Sequence, residues 1–592
     1  MSRILWRALL AAALLCCIGL LPWLSRTDPA LTVLKARSAE RTPSPEVLAA
    51  VREQLGLDAG PLTLLGRWLA GLARGDAGRS WISGDEVGPG ILQGLGISLL
   101  LMAVALMVAA VTAAAITSRT LWLGSRRRLD ERGGGGGASA VLAALPEFLT
   151  ASVLAAVVGV QLGWLPALGW YGPQWTVLPA LALGLPAGAL LGRMLDDMLP
   201  GAFAEPWALA SAARGVPARS IARQALRRCV PGLLPNIGLF VVGLTGGAVA
   251  VEQIFDIPGL GRTTLQAAIA QDLPVLQAGT LALVLLAAAA GALARLAARL
   301  LIGPALRDGA LQSLHRPTPP APRATPLLYG AVLLGGIATG LTRDPLALDT
   351  GAKLQSPSWT HPFGTDALGR DVLARIGHGA FGTLTLAVAI SAAALLTGVA
   401  LGLLPRLSGP LVDTVNAVPP VLAGLLTAGV AGSGAATPAL AVAVVAWAPL
   451  AAHTTALLEQ ERATTHVAAT KGLGADRWYL LRHELLPAVL PPVTRHALLR
   501  LPAVALALTA LGFLGIGTQP PDPEWGLLLA ENQPYVERAP WAVLAPAAAL
   551  ALLGVLAVKS AGGVRLPHRL AAVTVRQQKH ATAGATTVGK PG

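Results

Sequence analysis

Twelve apolar stretches recur along the chain. They lie near residues 4–24, 90–117, 138–160, 176–199, 231–251 and 276–302, then near 326–342, 380–404, 410–432, 436–457, 488–516 and 541–559. A helix needs about 20 apolar residues to cross the ~30 Å hydrocarbon layer of a bilayer, and many of these stretches have no polar face to turn toward water. Charged residues make up 13% of the chain, where a soluble domain carries about 25%. Lipid is therefore the expected solvent. The expected fold is an all-α integral membrane protein of about twelve transmembrane helices, six in each half.

The charge of the chain fits the same solvent. Its formal net charge is +14, but the basic residues sit between apolar stretches and aromatics are few, so a nucleic-acid partner is not expected. Arg119, Arg126, Arg127, Arg128 and Arg132 follow the second stretch; Arg214, Arg219, Arg223, Arg227 and Arg228 follow the fourth. Arg462, Lys471, Arg477 and Arg482 follow the tenth, and Arg565, Arg569, Arg576 and Lys579 the twelfth. Alternate loops carry acids instead, namely Glu252, Asp256 and Asp272, and Asp522, Glu524, Glu531 and Glu537. Basic loops stay in the cytoplasm, which places both termini there. The first stretch lacks a small-x-small cleavage site and is expected to be an uncleaved helix.

The expected domains are a first half over 1–310 with an external cap at about 27–88, a Pro-rich linker over 311–325, a second half over 326–565, and a polar cytoplasmic tail over 566–592. Within the cap, Pro45 to Leu55 and Leu62 to Leu72 read as short amphipathic helices. The glycine run Gly133 to Gly137 is not followed by Lys-Ser or Lys-Thr and so is a connector, not a phosphate cradle. Cys16, Cys17 and Cys229 match neither a disulfide framework nor a metal site and read as small apolar residues. No metal site, cofactor site or catalytic residue is expected in this chain.

The clearest internal repeat pairs Trp207-Ala208-Leu209-Ala210-Ser211-Ala212-Ala213-Arg214-Gly215 with His466-Val467-Ala468-Ala469-Thr470-Lys471-Gly472-Leu473-Gly474. Each is a short run of small residues, a glycine that turns the chain, and a basic segment leading back to an apolar stretch. Small residues allow close approach of a partner, and glycine suits a left-handed helix end. One such element in each half fits docking to two copies of a partner.

These runs resemble the EAA loops of bacterial ABC importer permeases, although Leu209 and Ala468 stand where that loop has its usual Glu, and Ser211 and Thr470 replace its second Ala. The segment His361-Pro362-Phe363-Gly364-Thr365-Asp366-Ala367-Leu368-Gly369-Arg370-Asp371-Val372 resembles one subunit of the dipeptide/oligopeptide/nickel permease family. Phe513-Leu514-Gly515-Ile516-Gly517-Thr518-Gln519-Pro520-Pro521, continuing through Glu524-Trp525-Gly526, resembles the same subunit. Gly247, Val251-Glu252, Phe255 and Pro258-Gly259-Leu260-Gly261-Arg262 are similar to the other subunit, as are Leu55-Gly56-Leu57-Asp58 and Gly75-Asp76-Ala77-Gly78-Arg79-Ser80.

The resemblance implies two permeases fused head to tail, with pseudo-twofold symmetry about the membrane normal, in a bacterial inner membrane. It implies coupling to ATPase subunits, two copies or one fused protein, at Ala210, Ser211, Gly215, Ala469, Thr470 and Gly474. ATP and Mg would sit on those partners. An extracytoplasmic binding protein would deliver the solute, with peptides first and nickel or opine-like compounds as further candidates. External-face motif residues would be Pro258, Gly259, Gly261, Gly364, Asp366, Gly369, Arg370, Asp371, Pro520 and Trp525. The alternative is a twelve-helix secondary transporter, but mid-helix positions hold almost no Asp or Glu for ion coupling. A membrane enzyme ranks last, for want of a nucleophile–base pair.

Several polar residues have plainer readings. Asp366, Arg370 and Asp371 read as a solvated external ion-pair cluster before ligand contacts. Glu147, Asp196 and Asp197 lie near helix ends, where the interface solvates them. His453 is expected to be a packed histidine and not a proton relay.

Overall fold

The computed structural model describes residues 3–25, 28–37, 44–131, 137–166, 168–302, 324–416 and 418–561. The expected linker, save its last two residues, the tail, and Gly133 to Gly136 fall outside the described residues. The described residues are mostly helical, with isolated bridges at Arg79–Glu86 and Thr365–Asp371 and no strand.

The first half begins with α1 (Arg3–Gly19), α2 (Leu21–Leu24), α3 (Pro29–Arg37), α4 (Pro45–Leu55) and α5 (Pro61–Ala73). It continues with α6 (Val87–Ser125), α7 (Gly137–Ala144), α8 (Glu147–Leu154), α9 (Val177–Ala204), α10 (Pro206–Ala213), α11 (Ala218–Ile254), α12 (Leu260–Ala270) and α13 (Leu273–Ile302). The second half opens with α14 (Ala324–Leu341), α15 (Val372–Gly402), α16 (Pro405–Asn416), α17 (Pro420–Ala431), α18 (Ala436–Ala446) and α19 (Ala448–Arg462). It closes with α20 (Thr465–Gly472), α21 (Arg477–Tyr479), α22 (Leu486–Phe513), α23 (Trp525–Asn532) and α24 (Pro540–Ala561). The expected cap helices are present. Ser44 caps α4, accepting from Val47 N–H at 3.4 Å, and Gly56 ends it at φ 64°.

All twelve expected stretches contain apolar helix, yet among the described residues six are single helices long and apolar enough to span. The pair α16–α17, bent by 94°, makes a seventh if it counts as one broken span. The sequence suggested one continuous helix over 410–432, but Pro419 and Pro420 interrupt it. Proline cannot donate to the helix ladder and pushes the residue before it into extended geometry. The same thing happens in the first half at Pro146, between α7 and α8. Pro146 and Pro419 cap their helices at φ/ψ of −64°/151° and −62°/143°.

Each half packs its second spanning helix against its fourth through glycine. Gly184, Gly188 and Gly192 of α9 recur every four residues and face α6. A Cβ at Gly184 would lie 2.6 Å from Ala105 O, and at Gly188 2.5 Å from Ala109 O. In the second half the glycines stand on the other partner. Gly398 and Gly402 of α15 face α19, and a Cβ at Gly402 would lie 2.8 Å from Ala451 O. Close backbone approach through small residues is the usual means of helix association in lipid.

The two halves share one apolar core. Phe148 of α8 stacks on Phe513 of α22 at 5.8 Å between ring centroids. Gln271 Nε2 donates to Ala428 O at 3.0 Å, and Gln533 Nε2 to Ile254 O at 3.4 Å. His453 is not alone, since its ring lies 4.7 Å from that of His496. Cys229 is fully buried, and burial pushes its thiol up to about 11, which makes it unreactive.

Replacing Gly188 with Leu overfills the α6–α9 contact and should destabilise the fold by roughly 3 kcal/mol or more. Gly96→Leu, on an open face of α6, should leave it near wild type. Thermal unfolding of both variants in detergent checks this.

Candidate functional site

At one end of the long helices, α10 and α20 form a matched pair of eight residues each. Both close in the same turn. Gly215 N–H donates to Ala212 O at 3.0 Å and Val216 N–H to Ser211 O at 3.1 Å. Gly474 N–H donates to Lys471 O at 3.1 Å and Ala475 N–H to Thr470 O at 3.3 Å. This is the Schellman arrangement, and it needs a left-handed residue; Gly215 and Gly474 have φ of 72° and 94°. A Cβ at either glycine meets nothing within 4 Å, so backbone conformation, not crowding, demands glycine.

Small apolar clusters hold both helices to the bundle, around Ile221 and Cys229 in the first half and Leu458 and Val467 in the second. Ala208, Ser211 and Val467 point inward and are buried, while Leu209, Ala210, Ala468 and Ala469 are exposed. Thr470 is half-buried and donates to His466 O at 3.1 Å. Leu473 is 90% exposed and Trp478 65%, which leaves apolar surface beside the second turn.

α11 has 37 residues, a length of about 55 Å, and its far end holds a different device. Glu252, in its last turn, is fully buried. Ser98 of α6 donates to Oε1 at 2.5 Å, and Arg262 N–H donates to Oε2 at 3.0 Å. The carboxylate thus sits at the N-terminus of α12, where unpaired N–H groups and the helix dipole favour negative charge. The second half builds the same device from the opposite side. Glu524 caps α23, accepting from Gly526 and Leu527 N–H, each at 2.9 Å. It lies in the loop before α23, and burial pushes its carboxyl up to about 7.

The glycines have exchanged places accordingly. A Cβ at Gly259, the N-cap of α12, would lie 2.2 Å from Glu252 Cδ; one at Gly512, in the last turn of α22, would lie 2.1 Å from Glu524 Oε2. The supporting residues match by position. Gly94 and Gly379 are the eighth residues of α6 and α15, and each lets a motif loop approach. Ser98 and Thr383 are the twelfth, although the Thr383 hydroxyl stands beside Glu524 without hydrogen-bond geometry. Trp525 is buried and donates through Nε1 to Ile376 O at 2.9 Å.

The charged residues before α15 are ion-paired as expected, but they are buried and not solvated. Asp366, Arg370 and Asp371 are 2%, 3% and 8% exposed. Arg370 Nε lies 2.7 Å and Arg375 Nη1 2.9 Å from Asp366 Oδ2; Arg375 Nη1 reaches Glu531 Oε2 at 2.7 Å and Arg370 Nη2 reaches it at 3.2 Å. Two cations and two anions cancel, and they tie the start of α15 to α23. Asp371 caps α15 and pairs with Arg343 at 2.6 Å. Gly369, at φ 80°, has no room for a side chain, since a Cβ would lie 1.7 Å from Asp349 O. Gly364 is also left-handed, and Pro520 precedes Pro521 in a cis bond. The sequence missed Arg375 and left Ser98 unmarked, because a lone cation and a lone serine within apolar helices carry no pattern.

Between the halves lies a cavity of about 270 Å³. It is lined by α8, α11, α22 and the break at Val418-Pro419-Pro420. Glu147 is the first residue of α8, at a helix end as expected, and it lines this cavity. Asp196 and Asp197 lie inside α9, well before its end.

The family model described as "Binding-protein-dependent transport system inner membrane component" matches this chain twice, over residues 136–303 and 377–560. The chain is 35% identical over 223 residues to the di/tripeptide transport system permease protein of Pseudomonas aeruginosa (strain UCBPP-PA14), covering 35% of this chain and 73% of that protein. It is 32% identical over 225 residues to the probable D,D-dipeptide transport system permease protein of Escherichia coli (strain K12), covering 36% and 74%. It is 28% identical over 295 residues to the metal-staphylopine import system permease protein of Staphylococcus aureus (strain Mu50 / ATCC 700699), covering 49% and 92%.

Removing one partner from a buried ion-pair network leaves an uncompensated charge. Asp366→Asn should therefore cost about 3 kcal/mol in thermal unfolding. The exchanged Glu/Gly pairs give a sharper test. Gly512→Glu alone brings a second carboxyl against Glu524 and should destabilise strongly. Adding Glu524→Gly recreates the first-half arrangement and should recover most of that loss, read as unfolding temperature.

Proposed function

The chain belongs to the family of binding-protein-dependent transport system inner membrane components, in two copies, and we propose that one chain forms the whole membrane pathway of a peptide importer. Proteins of this family are non-catalytic permease subunits of ABC importers, and the chain is an integral inner-membrane protein. The secondary-transporter alternative is set aside by that membership. Peptides are the proposed cargo because relatives are named for di/tripeptide and D,D-dipeptide transport; the metal-staphylopine relative keeps metal complexes as the second class.

The observation that carries the proposal is the pair of matched turns at Gly215 and Gly474. Two eight-residue helices end in the same hydrogen-bonded turn, one per half. In this reading they are cytoplasmic and each enters a groove on an ATPase subunit. Ala210 and Ala469 offer small exposed contacts. Ser211 holds the first helix against the bundle, and Thr470 does so in part. ATP and Mg belong to the partners, whether these are two chains or one fused chain. Both termini lie in the cytoplasm on the same reading, since the basic loops share the side of α10 and α20. The ion-paired loops at Asp366–Asp371 and the clamps at Glu252 and Glu524 then face outward, where a binding protein docks.

Closure of the ATPase dimer would move the two turns together and rock the halves about their shared core, alternating access to the central cavity. A side chain at a left-handed position costs about 1–2 kcal/mol, too little to unfold the bundle. Gly215→Leu with Gly474→Leu should therefore leave the chain folded but abolish co-purification with its ATPase and peptide uptake in proteoliposomes. Unchanged assembly and uptake in the double variant would sink the coupling assignment.

A further inference from the structure

The central cavity is apolar except at two residues. Its lining comprises glycines, alanines, valines, prolines and Phe148, together with the carboxyl of Glu147 and the amide of Asn416. Aligned on the capping prolines Pro146 and Pro419, Glu147 of the first half corresponds to Pro420 of the second. A cavity otherwise lined by two similar halves therefore carries one ionisable side chain, on one side only. Gly247 beside it has no side chain to cover it; a Cβ there would sit 3.4 Å from Glu147 Cγ. Gly246, next in the lining, lies against Pro419 of the other half, where a Cβ would stand 3.1 Å from Pro419 Cβ. The carboxyl is thus placed at the seam of the halves.

A carboxyl in such surroundings has a cost. Ionisable groups inside membrane proteins are expensive and face cavities or partners. Among the described residues, no ion pair involves Glu147. Four other acids are satisfied within the protein: Glu252 and Glu524 by helix N-termini, and Asp366 and Glu531 by arginines. Glu147 differs in opening on space large enough for a solute group. Attraction between unlike charges strengthens as water is excluded, so a lone carboxyl in an apolar cavity gains its partner only when a cation enters and favours cationic solutes over neutral and anionic ones.

We propose that Glu147 makes the central pathway selective for solutes bearing a cationic amine, the free ammonium end of a peptide being the fitting class. This rests on the reading that the cavity belongs to the translocation pathway. Asn416, facing from the second half, supplies a neutral donor and acceptor that suits an amide without adding charge. An N-blocked peptide would meet the carboxylate with no compensating charge and pass poorly.

The test uses the full chain in nanodiscs with Cys16→Ser, Cys17→Ser and Cys229→Ala, and one new cysteine in the lining, Ala510→Cys or separately Ala507→Cys. Modification rates are measured with a trimethylammonium-ethyl and a sulfonatoethyl methanethiosulfonate. Each is divided by the rate at Leu473→Cys, a site 90% exposed. The normalised rate for the cationic reagent should exceed that for the anionic one by about tenfold, and Glu147→Gln should bring the ratio close to one. A ratio unchanged by Glu147→Gln overturns the proposal, as does a ratio near one with Glu147 present, or no reaction of either reagent at both lining sites. In the assembled transporter, Glu147→Gln should also narrow the preference for alanyl-alanine over N-acetyl-alanyl-alanine. If the chain shows the reagent preference but transports neither peptide, the peptide-importer reading falls and the charge filter stands.

Discussion

In hydrocarbon no water is present to pair a free backbone N–H or C=O, so each helix end or break must be satisfied by protein or line a cavity. The architecture follows from how this chain meets that demand. The N-termini of α12 and α23 receive carboxylates from Glu252 and Glu524. The start of α15 receives Asp371. The interruptions at Pro146 and Pro419 are placed where the halves meet, against the central cavity. Helix breaks and the cavity thus coincide, since irregular backbone in a membrane protein is accommodated where it is buried in protein or lines a cavity.

The two halves keep contacts while exchanging the residues that make them. In one, glutamate stands on the long helix and glycine on the short one; in the other the order is reversed. The packing glycines change sides in the same way, from the fourth spanning helix to the second. Close approach needs one small residue per contact, and the geometry is indifferent to which helix provides it. Such exchanges leave the backbone arrangement intact and erase the sequence repeat. The turns at Gly215 and Gly474 could not be exchanged in this manner, because a left-handed φ is a property of a single position. They remain the clearest internal repeat.

This explains what could be read from the residues alone. The apolar stretches located each candidate span found among the described residues, since lipid leaves little choice of composition. The cap helices at Pro45–Leu55 and Pro61–Ala73 were legible from capping residues and periodicity. The breaks were not, because Leu145-Pro146 and Val418-Pro419-Pro420 sit inside runs whose hydropathy stays high. The burial of Asp366 and Arg370 was also hidden: charge before a membrane helix reads as solvated, and the partners Arg375 and Glu531 lie far away in sequence for one of the two. Glu147 reads as a border residue because it stands near a helix end. Only its place between two broken helices gives it a different meaning.

The central claim is that one chain supplies both halves of the pathway and both docking elements for the motor. Native mass spectrometry of the transporter purified with its ATPase measures this directly. The account predicts one copy of this chain for each pair of ATPase domains. Two copies of the chain in the assembled complex would contradict it.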